Sequence, residues 1–115
     1  MPKSQDSLDL MFRALGDRSR RAMVERLARG PASVSELARP FDMSLPTVVQ
    51  HLGVLDTAGI VTSTKVGRVR TYQLATEALT PAGEWIIRQR LPAERRLDRL
   101  GTLLTTHQQR KETQI

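Results

Sequence analysis

Apolar residues in the first half of the chain recur at helical spacing. Leu8, Met11, Phe12 and Leu15 fall at i, i+3, i+4 and i+7, one face of a helix over about residues 6–15. Gly16 ends that helix. Asp17 is placed to cap a second one, whose apolar residues are Met23, Val24, Leu27 and Ala28 and which Gly30-Pro31 stops. Ser33 and Glu36 have the S-x-x-E spacing of a capping box and open a third, short helix that runs through Ala38 and is closed by Pro40. Ser44 caps a fourth, with Pro46 in its first turn, where a missing N–H costs little. Its inward stripe is Val48, Leu52 and Leu55, and Gly59 is its stop.

After Gly59 the period changes. Residues 60–64 and 69–74 are rich in β-branched side chains and Tyr72, with Lys65-Val66-Gly67-Arg68 between them as a glycine turn. A β-hairpin is predicted there. Thr80-Pro81 then starts a last helix by the cap-then-proline rule; its apolar residues are Trp85, Ile86, Leu97, Leu100, Leu103 and Leu104. Pro92 lies inside it and must kink or break it. The chain from His107 to Ile115 is polar and expected to fray. The order is therefore mainly α with a small β-hairpin: four helices, two strands and a fifth helix. That is the outline of a winged helix-turn-helix, a module that lays one helix in the DNA major groove. One domain spanning 1–115 is expected, with the helix-turn-helix over about 33–58, the wing over about 60–75 and outer helices over about 6–15 and 81–106.

Charge supports the same partner. Lys and Arg number 18 against 12 acidic residues, giving +6, with a pI near 11.0. Double-stranded DNA is the polyanion this balance suits first. The absence of cysteine removes disulfides, thiolate metal sites and a cysteine nucleophile together. No apolar signal core follows the N-terminus, and no apolar run nears the roughly 20 residues that cross a bilayer. A soluble, cytoplasmic protein without a membrane partner is expected. Paired carboxylates, a glycine-rich phosphate loop and a nucleophile beside an oriented base are all missing, so an enzyme is not expected and no cofactor is implied.

On the fourth helix, Pro46, Thr47, Gln50, Gly53 and Val54 lie away from the apolar stripe, with Ser44 and His51 flanking it. Gln50 suits a bidentate contact to adenine. Thr47 can offer its methyl to thymine or its hydroxyl to a phosphate. Ser44 and the free N–H groups at the helix start suit a phosphate. His51 either touches the DNA backbone or bonds within the domain. The hairpin adds Lys65, Arg68 and Arg70, with no acidic residue from Ile60 to Thr76. Such a strip fits a wing that contacts phosphates. Leu10 lies off the main stripe of the first helix. With Leu8 and Met11, and with Trp85, Ile86, Leu97, Leu100 and Leu104 of the last helix, it makes an apolar surface a small domain covers poorly alone. A homodimer through the first and last helices is expected, and with it an inverted-repeat operator whose half-sites lie about one helical turn apart.

Four stretches in order, Phe12–Leu27, Ser33–Ala38, Met43–Val61 and Val66–Leu74, resemble the ArsR-type (ArsR/SmtB-like) winged-helix transcriptional regulators of bacteria. The resemblance implies a homodimer whose fourth helix reads the major groove, and a repressor as the default. It also carries departures. Metal-sensing members place cysteines in the third-helix segment or Asp, His and Glu ligands on the last helix. This chain has no cysteine, and only Asp98 and His107, nine positions apart, in the latter region. A closed zinc site takes four ligands, so the resemblance points to a metal-independent branch, with a metal-responsive repressor the lesser alternative and the inducer unknown. Members of the family often carry a small polar residue where Val49 stands and a long polar or basic one where Gly53 stands. Both changes remove possible DNA contacts. They motivate an alternative, a winged-helix protein-interaction module with weak or lost DNA binding.

Overall fold

The computed structural model describes residues 4–89. The elements are α1 (Ser4–Leu15), α2 (Arg18–Leu27), β1 (Ala32–Ser33), α3 (Val34–Ala38), α4 (Leu45–Thr57), β2 (Val61–Val66), β3 (Val69–Leu74) and α5 (Thr80–Arg88). The chain divides into two compact units, Met1–Ala82 and Gly83–Ile115. The helix-turn-helix and the hairpin both lie in the first.

Local signals set most of the boundaries. The Asp17 carboxylate accepts from the Arg20 N–H at 2.9 Å and caps α2. Ser33 and Glu36 close a reciprocal box on α3: the Ser33 hydroxyl accepts from the Glu36 N–H at 3.2 Å, and the Glu36 carboxylate accepts from the Ser33 N–H at 3.1 Å. Ser44 caps α4 through the Thr47 N–H, with Pro46 in the first turn. The end of α4 is a Schellman turn. Gly59 sits at φ 77, its N–H donates to the Asp56 carbonyl at 2.9 Å, and the Ile60 N–H donates to the Leu55 carbonyl at 3.0 Å. The positive φ is why a glycine stands there.

The sheet has three strands in the order β1-β3-β2, all antiparallel. Val61 faces Leu74 and Val66 faces Val69 across the hairpin, which leaves Gly67-Arg68 as a two-residue loop. Gly67 has φ 62, and glycine at the first loop position is what a type II′ hairpin uses. The third strand, β1, is an addition to the expected hairpin: Ala32 pairs with Tyr72 and Ser33 with Thr71. Two residues are too few to show a period, so only the long-range pairing reveals it.

One apolar core lies behind these elements. Met23, Leu37, Val48, Leu52, Leu55, Ile60 and Val61 are its largest fully buried side chains. The α4 stripe residues remove their side chains from water inside this core, at about 25 cal/mol per Å² of apolar surface, and α4 as a whole packs against α1, α2, α3 and β2. On α1 the inward residues are Met11, 5% exposed, and Ala14. This corrects the expectation that Met11 lies on a dimer surface: it packs inside its own subunit. Leu8 and Leu10 are half-buried. Thr80 is the first residue of α5 and not a cap ahead of it. Pro92, Leu97, Asp98, Leu100, Leu103, Leu104 and His107 lie outside the described residues, as do the kink, the remainder of the expected last helix and the C-terminal fraying.

Candidate nucleic-acid interface

With Val48, Leu52 and Leu55 buried, α4 turns Leu45, Pro46, Val49, Gln50 and Gly53 outward. Gln50 is exposed at the middle of that face, its amide able to donate and accept together. A side chain at Gly53 would meet nothing within 4 Å, so the glycine is not required by packing. It lowers the local relief of the outward face. Val49, 47% exposed, and Leu45, 52% exposed, make the N-terminal half of the same face partly apolar.

Ser44 and Thr47 act as one unit. Their hydroxyl oxygens are 2.9 Å apart, and Ser44 Oγ also accepts the Thr47 N–H at 3.4 Å. Ser44 is exposed and Thr47 half-buried. The cap thus satisfies one N–H of the first turn, where the helix dipole favours an anion.

His51 faces another way. Its Nδ1 is 3.2 Å from Nη1 of Arg20 and 4.0 Å from the Asp17 carboxylate. Of the two roles open to it in the sequence, bonding within the domain is realised at this nitrogen. Arg20 escaped the sequence reading. It also donates from Nε to the Ala14 carbonyl at 2.7 Å and from Nη2 to the Arg13 carbonyl at 3.1 Å. It thereby caps the end of α1 while reaching α4. The Arg20 N–H, backed by the charge of the Arg20 guanidinium, holds the Asp17 carboxyl below its ordinary value despite partial desolvation. The Asp-x-x-Arg spacing behind Gly16 is the only sequence signal for this cluster.

The hairpin carries the cations. Lys65, Arg68 and Arg70 are all exposed, and Lys65 stands directly opposite Arg70 in the ladder. Arg70 donates to Ser63 Oγ at 2.8 Å. Among the described residues, Lys65 and Arg68 have no protein partner. Two like charges face each other across the strands without a carboxylate between them, an arrangement that disfavours the isolated hairpin and favours an anion. Arg68 and Arg70 also line a cleft of about 260 Å³ with Ser33 and Ser35.

On α5, Trp85 and Ile86 are exposed, 41% and 56%. Of the expected dimer surface they are the exposed members among the described residues. Among the described residues no three His, Cys, Asp or Glu side chains converge as a metal site would require.

A capped helix pair, a second helix with an exposed outer face centred on Gln50 and a cationic two-stranded ribbon define a winged helix-turn-helix protein. Residues 15–64 match the family model described as a helix-turn-helix domain. The HTH-type transcriptional regulator Rv2034 of Mycobacterium tuberculosis is 53% identical over 68 residues, 59% of this chain and 64% of that protein. The match thus spans less than two thirds of that relative's length. The transcriptional repressor SdpR of Bacillus subtilis is 27% identical over 77 residues, covering 67% of this chain and 86% of that protein. A crystal structure of an ArsR family transcriptional regulator superposes with a TM-score of 0.72 at 44% identity, over 77% of this chain and 92% of that one. The homodimeric winged helix-turn-helix DNA-binding domain of Mb0332 from Mycobacterium bovis shares the fold, with a TM-score of 0.62 at 24% identity over 73% of this chain and 80% of that one. The chain belongs to the ArsR family of winged helix-turn-helix transcriptional regulators. These similar proteins are named as transcriptional regulators or repressors.

Proposed function

We propose that this protein is a sequence-specific DNA-binding repressor that works as a homodimer on an inverted-repeat operator, in the cytoplasm. The observation that carries the reading is the pairing of α4's exposed Gln50 face with a hairpin whose Lys65 and Arg68 have no protein partner among the described residues. Gln50 reads a base, with adenine its natural partner. Ser44 and Thr47 hold a phosphate at the start of α4. Lys65, Arg68 and Arg70 neutralise backbone phosphates flanking the site. Repression follows from occupying promoter DNA. The naming of SdpR as a repressor supports the sign of regulation.

Dimerisation draws support from the exposed Trp85 and Ile86 and from the homodimeric Mb0332 domain. Leu8, Leu10, Leu97, Leu100 and Leu104 complete the proposed surface. The proposed regulator is of the metal-independent branch, a reading supported by the absence of cysteine from the chain. No helix among the described residues is long and apolar enough to cross a membrane.

A second reading rests on Leu45 and Val49, two exposed apolar side chains on the outward face of α4. A protein partner would cover them by burying apolar area, with little dependence on salt. Selection of the purified protein against a randomised duplex pool at near-physiological salt separates the two. Enrichment of an inverted repeat is expected. A pool that stays random, with only weak binding, overturns the repressor reading in favour of the protein partner.

A further inference from the structure

The Arg20–His51 contact carries more than packing. An arginine side chain has donors only. At 3.2 Å from Nη1, His51 Nδ1 must therefore accept. The Asp17 carboxylate, at 4.0 Å from the same nitrogen, is beyond hydrogen-bond range and does not compete for a proton there. The neutral ring then carries its hydrogen on Nε2. Among the described residues Nε2 has no protein partner. No buried side-chain nitrogen or oxygen of the described residues lacks one either, so Nε2 is not buried among them. It belongs to α4, one position after Gln50 and four after Thr47.

We propose that Arg20 is a positioning residue for DNA binding: it locks Nδ1 of His51 and so presents Nε2–H as a fixed, uncharged donor to a phosphate oxygen of the duplex. The assignment rests on the DNA-binding reading above. Arg20 is itself held from behind, by the Ala14 and Arg13 carbonyls that end α1 and by the Asp17 cap of α2. The ring's direction is thus set by the junction of α1, α2 and α4, before DNA arrives. The donor is neutral, so its contact releases no counterion. It adds affinity without adding to the salt slope, unlike the contacts of Lys65, Arg68 and Arg70.

Two measurements test this. Nitrogen-15 NMR of the free wild-type protein near neutral pH reads the His51 tautomer. The hydrogen is expected on Nε2, with Nδ1 accepting; a hydrogen on Nδ1 overturns the proposal whatever the DNA results. Duplex binding as a function of salt is then compared for wild type, His51→Ala, Arg20→Lys and the double variant. His51→Ala is expected to lose about tenfold on operator and random duplex alike, with the slope unchanged. Arg20→Lys keeps the charge but cannot span three acceptors, and it should lose a similar factor. The double variant should lose no more than either alone. Wild-type binding that is indifferent to His51→Ala overturns this inference alone. A slope that flattens in His51→Ala does the same, since the ring would then be acting as a cation. Failure of the wild type to bind any duplex overturns the function proposed above and, with it, the phosphate contact.

Discussion

Val48, Leu52 and Leu55 of α4 lie wholly out of solvent, whereas every residue from Thr64 to Arg70 at the end of the hairpin is exposed. The helix is overdetermined. It is capped by Ser44, stopped by Gly59 and nailed to the core by three side chains a turn apart. The hairpin tip is held by its ladder and by one side-chain bond, Arg70 to Ser63. A base-reading helix has to present its amide in one place, and buried stripes give that rigidity. A cationic ribbon on phosphates needs charge in roughly the right region, which long side chains on an exposed hairpin supply. The contrast separates stability from affinity: changes behind α4 are expected to act on folding, and changes in the wing, on the proposed function, to act on binding.

The largest expected effect breaks the first half of that contrast. Leu52, fully buried, leaves a core cavity when truncated, and Leu52→Ala should cost about 2–5 kcal/mol of stability in urea unfolding. DNA binding should be lost only through unfolding. Next comes the division of labour. Gln50→Ala should cost about 1–3 kcal/mol on the preferred site and little on random duplex. Arg68→Ala should weaken both DNAs alike and flatten the log–log salt slope by about 0.9. Equal losses for the two variants on both DNAs would erase the distinction between reader and wing. Ser44→Ala removes the cap of α4 and should cost about 1 kcal/mol of stability.

Gly53→Ala runs the other way. It fills open space on the helix exterior and should stabilise by up to about 1 kcal/mol, read as a raised unfolding midpoint. The smallest effect is in acid. The carboxyl of Asp17 is held below its ordinary 3.8, chiefly by the Arg20 N–H. A depressed folded value stabilises above the unfolded one. The contribution is complete at neutral pH and fades as pH falls through 3.8 toward the lower folded value. Asp17→Asn keeps a cap and should lose only that acid-side dependence.

The same contrast explains what the chain reveals by itself. Caps, stops and the α4 stripe are legible because each depends on residues within one or two turns: Ser33 with Glu36, Ser44 with Thr47, Gly59 at the end. The wing is legible from Gly67 and the change of period. Strand β1 is not, because its two residues make sense only opposite Thr71 and Tyr72, far along the chain. The inward turn of Met11 is missed for a related reason. Leu8, Met11 and Phe12 form one stripe by spacing, and only packing decides which edge is covered. Arg20 lies 31 positions from His51, and no local pattern joins them. The exposed cations Lys65, Arg68 and Arg70 stand out as unbalanced charge in the sequence. Their roles on DNA are proposed on that charge and on their exposure.

The central claim is that α4 reads sequence while the wing supplies charge. The most direct test is the affinity of the wild-type protein for a selected inverted-repeat duplex and for a shuffled duplex of the same composition, each followed over a range of salt. Two chains per repeat, tighter binding to the repeat at every salt concentration and steeply falling log K on both duplexes are expected. Equal affinity for the two, or binding insensitive to salt, would contradict that claim.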